Sequence, residues 1–117
     1  GEYTFPFAGY DLRKVAAADP AVVLDDSERD IGRVLTCATD MAIGRHEDRI
    51  FSIASPDKPA EFTPRGLSCG FVNVTRPLEP GQIVRLKDKR RTIKVEIVED
   101  IRPDRTARKP LAKFLGE

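Results

Sequence analysis

The clearest alternation of apolar and polar residues lies in the second half of the chain. Gln82 to Leu86 and Thr92 to Val98 alternate with a period of two, which predicts strands that bury one face and expose the other. The charged segment Lys87 to Arg90 is short enough to favour a hairpin between them. Together with the apolar run Leu67 to Val74, these residues predict three antiparallel strands.

Shorter runs predict further strands in the first half. Ala21 to Leu24 and Ile31 to Ala38 flank an acidic turn and pair most simply as a hairpin. The aromatic residues of Glu2 to Tyr10 alternate around a proline, which suits an edge strand or an extended arm. Asp11 to Ala18 has helical spacing and predicts a helical turn or two.

A long excursion separates these runs. Prolines and charged residues fill Thr39 to Gly66 and leave room for a single strand at Arg49 to Ala54. After Val98 a proline-broken tail ends in Leu111 to Leu115, which predicts a terminal helical turn. Five or six short strands without a long amphipathic helix indicate an all-β sandwich or barrel, and closure into a barrel would remove exposed edges.

Composition limits the classes of protein that fit this pattern. With 117 residues and 40% hydrophobic content, the chain forms one domain with one modest core. A net charge of +1 gives no global field for a nucleic acid or an acidic membrane, so a polyanion site would have to be local. Cys37 and Cys69 lack a CxxC spacing and are predicted to be buried thiols without a disulfide. Neither a membrane span nor a signal pattern is present, so we predict a soluble, cytoplasmic protein.

Candidate catalytic residues are few. His46 is the only histidine, and as a general base it would be oriented by Glu47 or Asp48. Adjacent side chains seldom point at one another, and a single loop histidine is typical of plain surface. The cysteines have no activating base beside them in the sequence. No catalytic residue is therefore predicted, and a small enzyme centred on His46 ranks last among the alternatives.

Two charged runs are candidate binding sites. The acidic run at Asp25, Asp26, Glu28 and Asp30 lacks the spacing of a calcium loop, so we predict a solvated turn and no metal site. The basic hairpin 87–94 is the strongest candidate for binding an anion. It lacks aromatic residues to stack bases and is followed by interleaved acids, which makes nucleic acid an unlikely partner. A small ligand bearing a carboxylate or a phosphate stays an alternative.

Four segments together resemble a known family. In order along the chain they are Asp30 to Thr36, Leu67 to Val72, Pro80 to Val84 and Arg91 to Val98. They resemble the C-terminal barrel of the glycine cleavage T-protein family, the folate-dependent aminomethyltransferases, over about Val22 to Pro103. The resemblance implies a closed six-stranded Greek-key barrel at 21–103 with a long irregular insertion and short terminal helical turns. It also implies an arm or linker to upstream domains at 1–20 and a tail at 104–117.

The resemblance implies a role in one-carbon transfer. In such enzymes tetrahydrofolate binds to larger upstream domains, which hold the catalytic aspartate and most folate contacts. The barrel would cap the folate channel, would be non-catalytic alone and would need no cofactor of its own. Its partners would be those upstream domains and other glycine cleavage-type components, and related demethylases share the barrel. The chain departs from the family after Thr36, where the excursion replaces a compact turn, and no folate-binding residue carries over. The alternative is a stand-alone barrel that binds RNA or protein through hairpin 87–94.

Overall fold

A computed structural model of the chain describes residues 2–17 and 21–99. These residues form eight strands and no helix. The strands are β1 (Tyr3–Ala8), β2 (Val22–Leu24), β3 (Asp30–Asp40), β4 (Ile43–His46), β5 (Arg49–Ser52), β6 (Leu67–Val74), β7 (Ile83–Lys87) and β8 (Thr92–Ile97).

Six of the strands close into a barrel in the order β1-β6-β3-β2-β7-β8, with β8 pairing back onto β1. Every neighbouring pair is antiparallel. The pairs β2–β3 and β7–β8 are hairpins, whereas the other four pairs join strands that are not consecutive along the chain. Strands β4 and β5 form a separate hairpin outside the barrel. The predicted all-β fold with a closed six-stranded barrel is therefore confirmed.

The barrel core is built by the alternation read from the sequence. On β7, Val84 and Leu86 are buried while Arg85 between them is exposed. Val95 and Ile97 fill the same interior from β8, and Val84 lies opposite Val95 in the β7–β8 register. The predicted β7–β8 and β2–β3 hairpins are both confirmed.

Strand β1 is a barrel strand, which the sequence did not predict. It lies between β6 and β8 and closes the barrel, so it is neither an edge strand nor part of an arm at 1–20. Pro6 lacks an N–H donor, yet its carbonyl oxygen accepts a hydrogen bond from the Val98 amide at 3.1 Å. Phe7 is completely buried in the core. Phe7 therefore anchors β1 in the barrel interior.

Three other expectations change. Strand β6 pairs with β1 and β3 and not with β7, so the second half is not a continuous three-stranded sheet. The excursion contains two strands, β4 and β5, where one was predicted. Residues 11–17 are not helical, and two of their amides bond to side chains: the Arg13 amide donates to Asp11 Oδ1 at 2.9 Å and the Ala16 amide to Asp88 Oδ2 at 2.8 Å. The predicted helical turn at Leu111 to Leu115 lies outside the described residues.

Candidate functional site

Tyr10, which follows β1, borders three adjoining cavities at one end of the barrel. The excursion cavity, about 290 Å³, lies between Tyr10 and the excursion, and Arg45, His46, Phe62 and Arg65 also line it. An open groove of about 600 Å³ continues past Arg65 toward the β7–β8 hairpin. A smaller cavity of about 190 Å³ reaches down to the buried Ser68 and is called the Ser68 cavity below.

Arg45 on β4 fastens the excursion to the barrel. Its Nη1 lies 2.8 Å from Glu96 Oε1 on β8, and both side chains are mostly buried. Its Nε donates to the Gly9 carbonyl at 3.1 Å, and its guanidinium carbon lies 4.1 Å from the centre of the Tyr10 ring. The planar fork of arginine can satisfy a carboxylate, a carbonyl and an aromatic face together, which a lysine could not.

The open groove and the Ser68 cavity are positively charged. Four cationic side chains and one carboxylate line them, namely Arg13, Arg65, Arg91, Lys94 and Asp11. Arg13 hydrogen-bonds Asp11 and thereby holds the pKa of that carboxyl below its usual range. Within residues 2–17 and 21–99, Arg65, Arg91 and Lys94 have no carboxylate within ion-pair distance. Arg91 still interacts electrostatically with Asp11 and Asp88, so the positive charge offered to an anion comes mainly from Arg65 and Lys94.

The structure brings an aromatic ring to the basic hairpin, which the sequence alone did not. Lys94 Nζ lies 5.3 Å from the centre of the Tyr10 ring. Burial is the largest influence on the Tyr10 hydroxyl and raises its pKa, although Arg45 acts in the opposite direction. The phenol therefore stays neutral at physiological pH and keeps its O–H as a hydrogen-bond donor.

Cations beside an aromatic ring and a set of adjoining cavities are features of ligand-binding sites. Comparisons of the chain with family models, curated proteins and solved structures found no match. In the part of the chain that the structure describes, no three His, Cys, Asp or Glu side chains gather as a metal site. Nor do these residues include a helix able to cross a bilayer.

His46 has a different partner from the ones predicted. It is the last residue of β4, and its Nε2 lies 3.4 Å from Glu61 Oε1. Glu47 and Asp48 instead form the β4–β5 turn, with positive φ angles of 50° and 69°. The His46 ring packs edge-on against the buried Phe51 ring, with the two ring centres 6.5 Å apart. His46 thus helps to pack the excursion and borders its cavity.

Cys37 and Cys69 lie on the neighbouring strands β3 and β6 and form no disulfide, as predicted. Cys69 is buried and Cys37 is partly buried. Burial raises the pKa of the Cys37 thiol, which lowers the fraction of reactive thiolate at neutral pH. Cys37 is therefore not an activated nucleophile.

The acidic run is a structured turn built around one buried carboxylate. Asp25 is only 5% exposed, whereas a solvated turn was predicted. It accepts hydrogen bonds from the amides of Ser27 and Arg29, both at 2.9 Å, and from Arg76 Nη2 at 2.9 Å. Asp25 therefore acts as the structural centre of the β2–β3 turn.

Asp25→Asn is expected to reduce the loss of folding stability that occurs as the pH is lowered. The amide of Arg29 is the main cause that lowers the pKa of Asp25 in the folded state. Its stabilisation is therefore complete above the unfolded pKa of about 3.9 and is lost as the pH falls through the lower folded value. Melting temperatures between pH 6 and pH 2 should fall less steeply for this variant than for the natural chain. Asp26→Asn, on the same turn but exposed, is the matched control, and an equal slope for all three proteins would contradict the assignment.

Proposed function

We propose that the chain is the accessory barrel of a folate-dependent one-carbon transferase that resembles the glycine cleavage T-protein. One observation carries the proposal. The four segments on which the resemblance rests contribute β3, β6, β7 and β8 to a single closed antiparallel barrel. The resemblance implies a closed six-stranded barrel, and the chain forms one. This agreement supports the proposal more strongly than any of the short motifs does by itself.

The barrel's own contribution is to cap a folate channel formed with upstream domains. Bound tetrahydrofolate would supply the acceptor for the one-carbon unit. The excursion cavity would hold one part of such a ligand, because Phe62 offers a flat apolar surface and Arg65 offers positive charge for a carboxylate. Arg45 fixes the position of this wall, and no residue of the barrel takes part in the transfer itself.

The two ends of the excursion lie close together, which makes the proposal testable. Asp40 lies opposite Leu67 in the β3–β6 register, so the two ends of the excursion meet across the ladder. A two-residue Asn-Gly turn replacing residues 41–66 would close a tight hairpin between β3 and β6. Calorimetric titration of the natural full-length protein with 5-formyltetrahydrofolate should give an affinity roughly tenfold weaker after this replacement.

Point variants separate the loss of contacts from the loss of structure. Arg65→Met, in the excursion cavity, should also weaken folate binding, whereas Arg49→Met should not, since the exposed Arg49 lies on β5 and pairs with Asp57. Circular dichroism would establish that each variant keeps the barrel. Unchanged affinity in both the turn replacement and Arg65→Met would defeat the proposed capping role.

The alternative, a stand-alone barrel that binds RNA through hairpin 87–94, has weaker support. Its cations Arg91 and Lys94 do border the open groove and the Ser68 cavity. However, Arg45 and Lys94 already lie over the Tyr10 ring, which leaves it poorly suited as a platform for stacking bases. The proposed transferase would work in the cytoplasm.

A further inference from the structure

Ser68 on β6 carries a buried hydroxyl that no other group satisfies. Its side chain is 1% exposed, and its Oγ has no hydrogen-bond partner among the described residues. Both of its backbone polar groups are paired, because the Ser68 amide donates to the Asp11 carbonyl oxygen and the Ser68 carbonyl oxygen accepts from the Gly9 amide, both at 2.7 Å. Burying a hydroxyl without a partner costs about 1–3 kcal/mol, so a ligand that accepts from Oγ would recover part of that cost.

Gly9 leaves the space that the hydroxyl occupies. A Cβ at this position would overlap Ser68 Oγ and would lie 3.4 Å from the Ser68 carbonyl oxygen. The adjoining Ser68 cavity, of about 190 Å³, is much larger than the volume of about 30 Å³ that one water takes in the liquid. The geometry therefore combines an unused donor with room for a small group.

The charged side chains around the Ser68 cavity favour an anion. Besides Ser68, the cavity is lined by Lys94, Arg13, Tyr10 and Asp11. Asp11 is held by Arg13, whose Nη2 lies 2.9 Å from its Oδ2, so its negative charge is largely compensated. Lys94 is left to neutralise an incoming charge, and Arg91 adds to the field from the open groove.

We propose that the Ser68 cavity is an oxyanion-binding site, in which Ser68 Oγ donates to a phosphate or carboxylate oxygen and Lys94 supplies the opposing charge. The ligand is a small molecule carrying such a group and not a nucleic acid, because the Tyr10 ring already has two cations over it. The site goes beyond the proposed folate role and does not depend on it, since the excursion cavity uses Phe62 and Arg65.

The test is an NMR titration of the ¹⁵N-labelled chain with sodium phosphate, compared with sodium chloride at the same ionic strength. Phosphate should cause saturable shifts at the amides of Gly9, Ser68 and Lys94 that chloride does not cause. Ser68→Ala and Lys94→Met should each weaken the binding roughly tenfold. Ser68→Ala removes only the unsatisfied hydroxyl, so the barrel should keep its full stability and the loss cannot come from unfolding.

Arg90→Met is the matched control, because Arg90 lies on the same basic hairpin and is exposed but does not line the cavity. It should leave phosphate binding unchanged. A second titration with triglutamate distinguishes the two sources of the oxyanion. The ligand that binds with the higher affinity, phosphate or triglutamate, shows whether the natural group is a phosphate or a carboxylate. The proposal is overturned if neither ligand saturates the site, if chloride gives the same shifts, or if Arg90→Met weakens binding as much as Lys94→Met. The proposal would also be overturned if the chain bound RNA but neither small ligand, and if Lys94→Met and Arg90→Met weakened RNA binding equally.

Discussion

Gly70→Ala is expected to destabilise the barrel by about 3 kcal/mol or more. Gly70 lies on β6 between β1 and β3, where β3 has a bulge between Val34 and Thr36. A Cβ at residue 70 would overlap the carbonyl oxygen of Thr36 and lie 2.7 Å from its carbonyl carbon. Backbone atoms on a paired strand cannot move aside as a flexible side chain would. Since a domain of this size has a total stability of about 5–15 kcal/mol, a large fraction should be lost.

Urea unfolding at 25 °C, followed by circular dichroism, measures this effect. Gly44→Ala is the matched control in another strand, because its Cβ would lie 3.2–3.3 Å from its nearest neighbours and needs only a small adjustment. Its cost should stay below about 1 kcal/mol, partly offset by the reduced freedom of the unfolded chain. Gly32→Ala should resemble Gly70→Ala, because its Cβ would overlap the Asn73 carbonyl oxygen. Equal stability of the Gly44 and Gly70 variants would mean that the strands do not approach as closely as described.

The position of Gly70 also marks how far the sequence could predict the fold. A glycine within a strand pattern indicates a bulge or a close approach of backbones, and Gly70 shows the close approach, to Thr36 on the neighbouring strand β3. The alternation in β7 and β8 was equally readable, because each strand has one face in the core and one in water. These signals are local, and each is contained in a few consecutive residues.

The closure of the barrel and the candidate site depend on pairings between distant segments, which local patterns do not contain. Pro6 interrupts the alternation of β1, so its pairing with both β6 and β8 could not be read from the pattern. That pairing is also what carries Tyr10 to Lys94 and to Arg45. The basic hairpin was recognisable in the sequence, but its aromatic neighbour and the unsatisfied Ser68 hydroxyl follow only from the closed barrel.

Arg45→Met is expected to release the excursion from the barrel and to cost about 2–3 kcal/mol. Loss of the guanidinium leaves Glu96 partly buried without its 2.8 Å partner and removes the donor to the Gly9 carbonyl. Breaking a fully buried ion pair costs about 3–5 kcal/mol, and the value here is lower because Glu96 keeps a quarter of its side chain exposed. Arg49→Met removes a comparable pair with Asp57 at 2.9 Å, but both partners are exposed, so its cost should stay below about 1 kcal/mol.

Hydrogen exchange distinguishes local release of the excursion from unfolding of the whole domain. The excursion has a small core of its own, separate from the barrel interior, in which the ring centres of Phe51 and Phe62 lie 5.6 Å apart. Amides of β4 and β5 should therefore lose protection by roughly 30-fold in Arg45→Met, while those of β7 and β8 change much less. Because the excursion forms one wall of the cavity beside Tyr10, the same variant should weaken folate binding. If barrel and excursion lost protection equally, Arg45 would be a part of the global core, and the excursion would not be a separately fastened wall of the site.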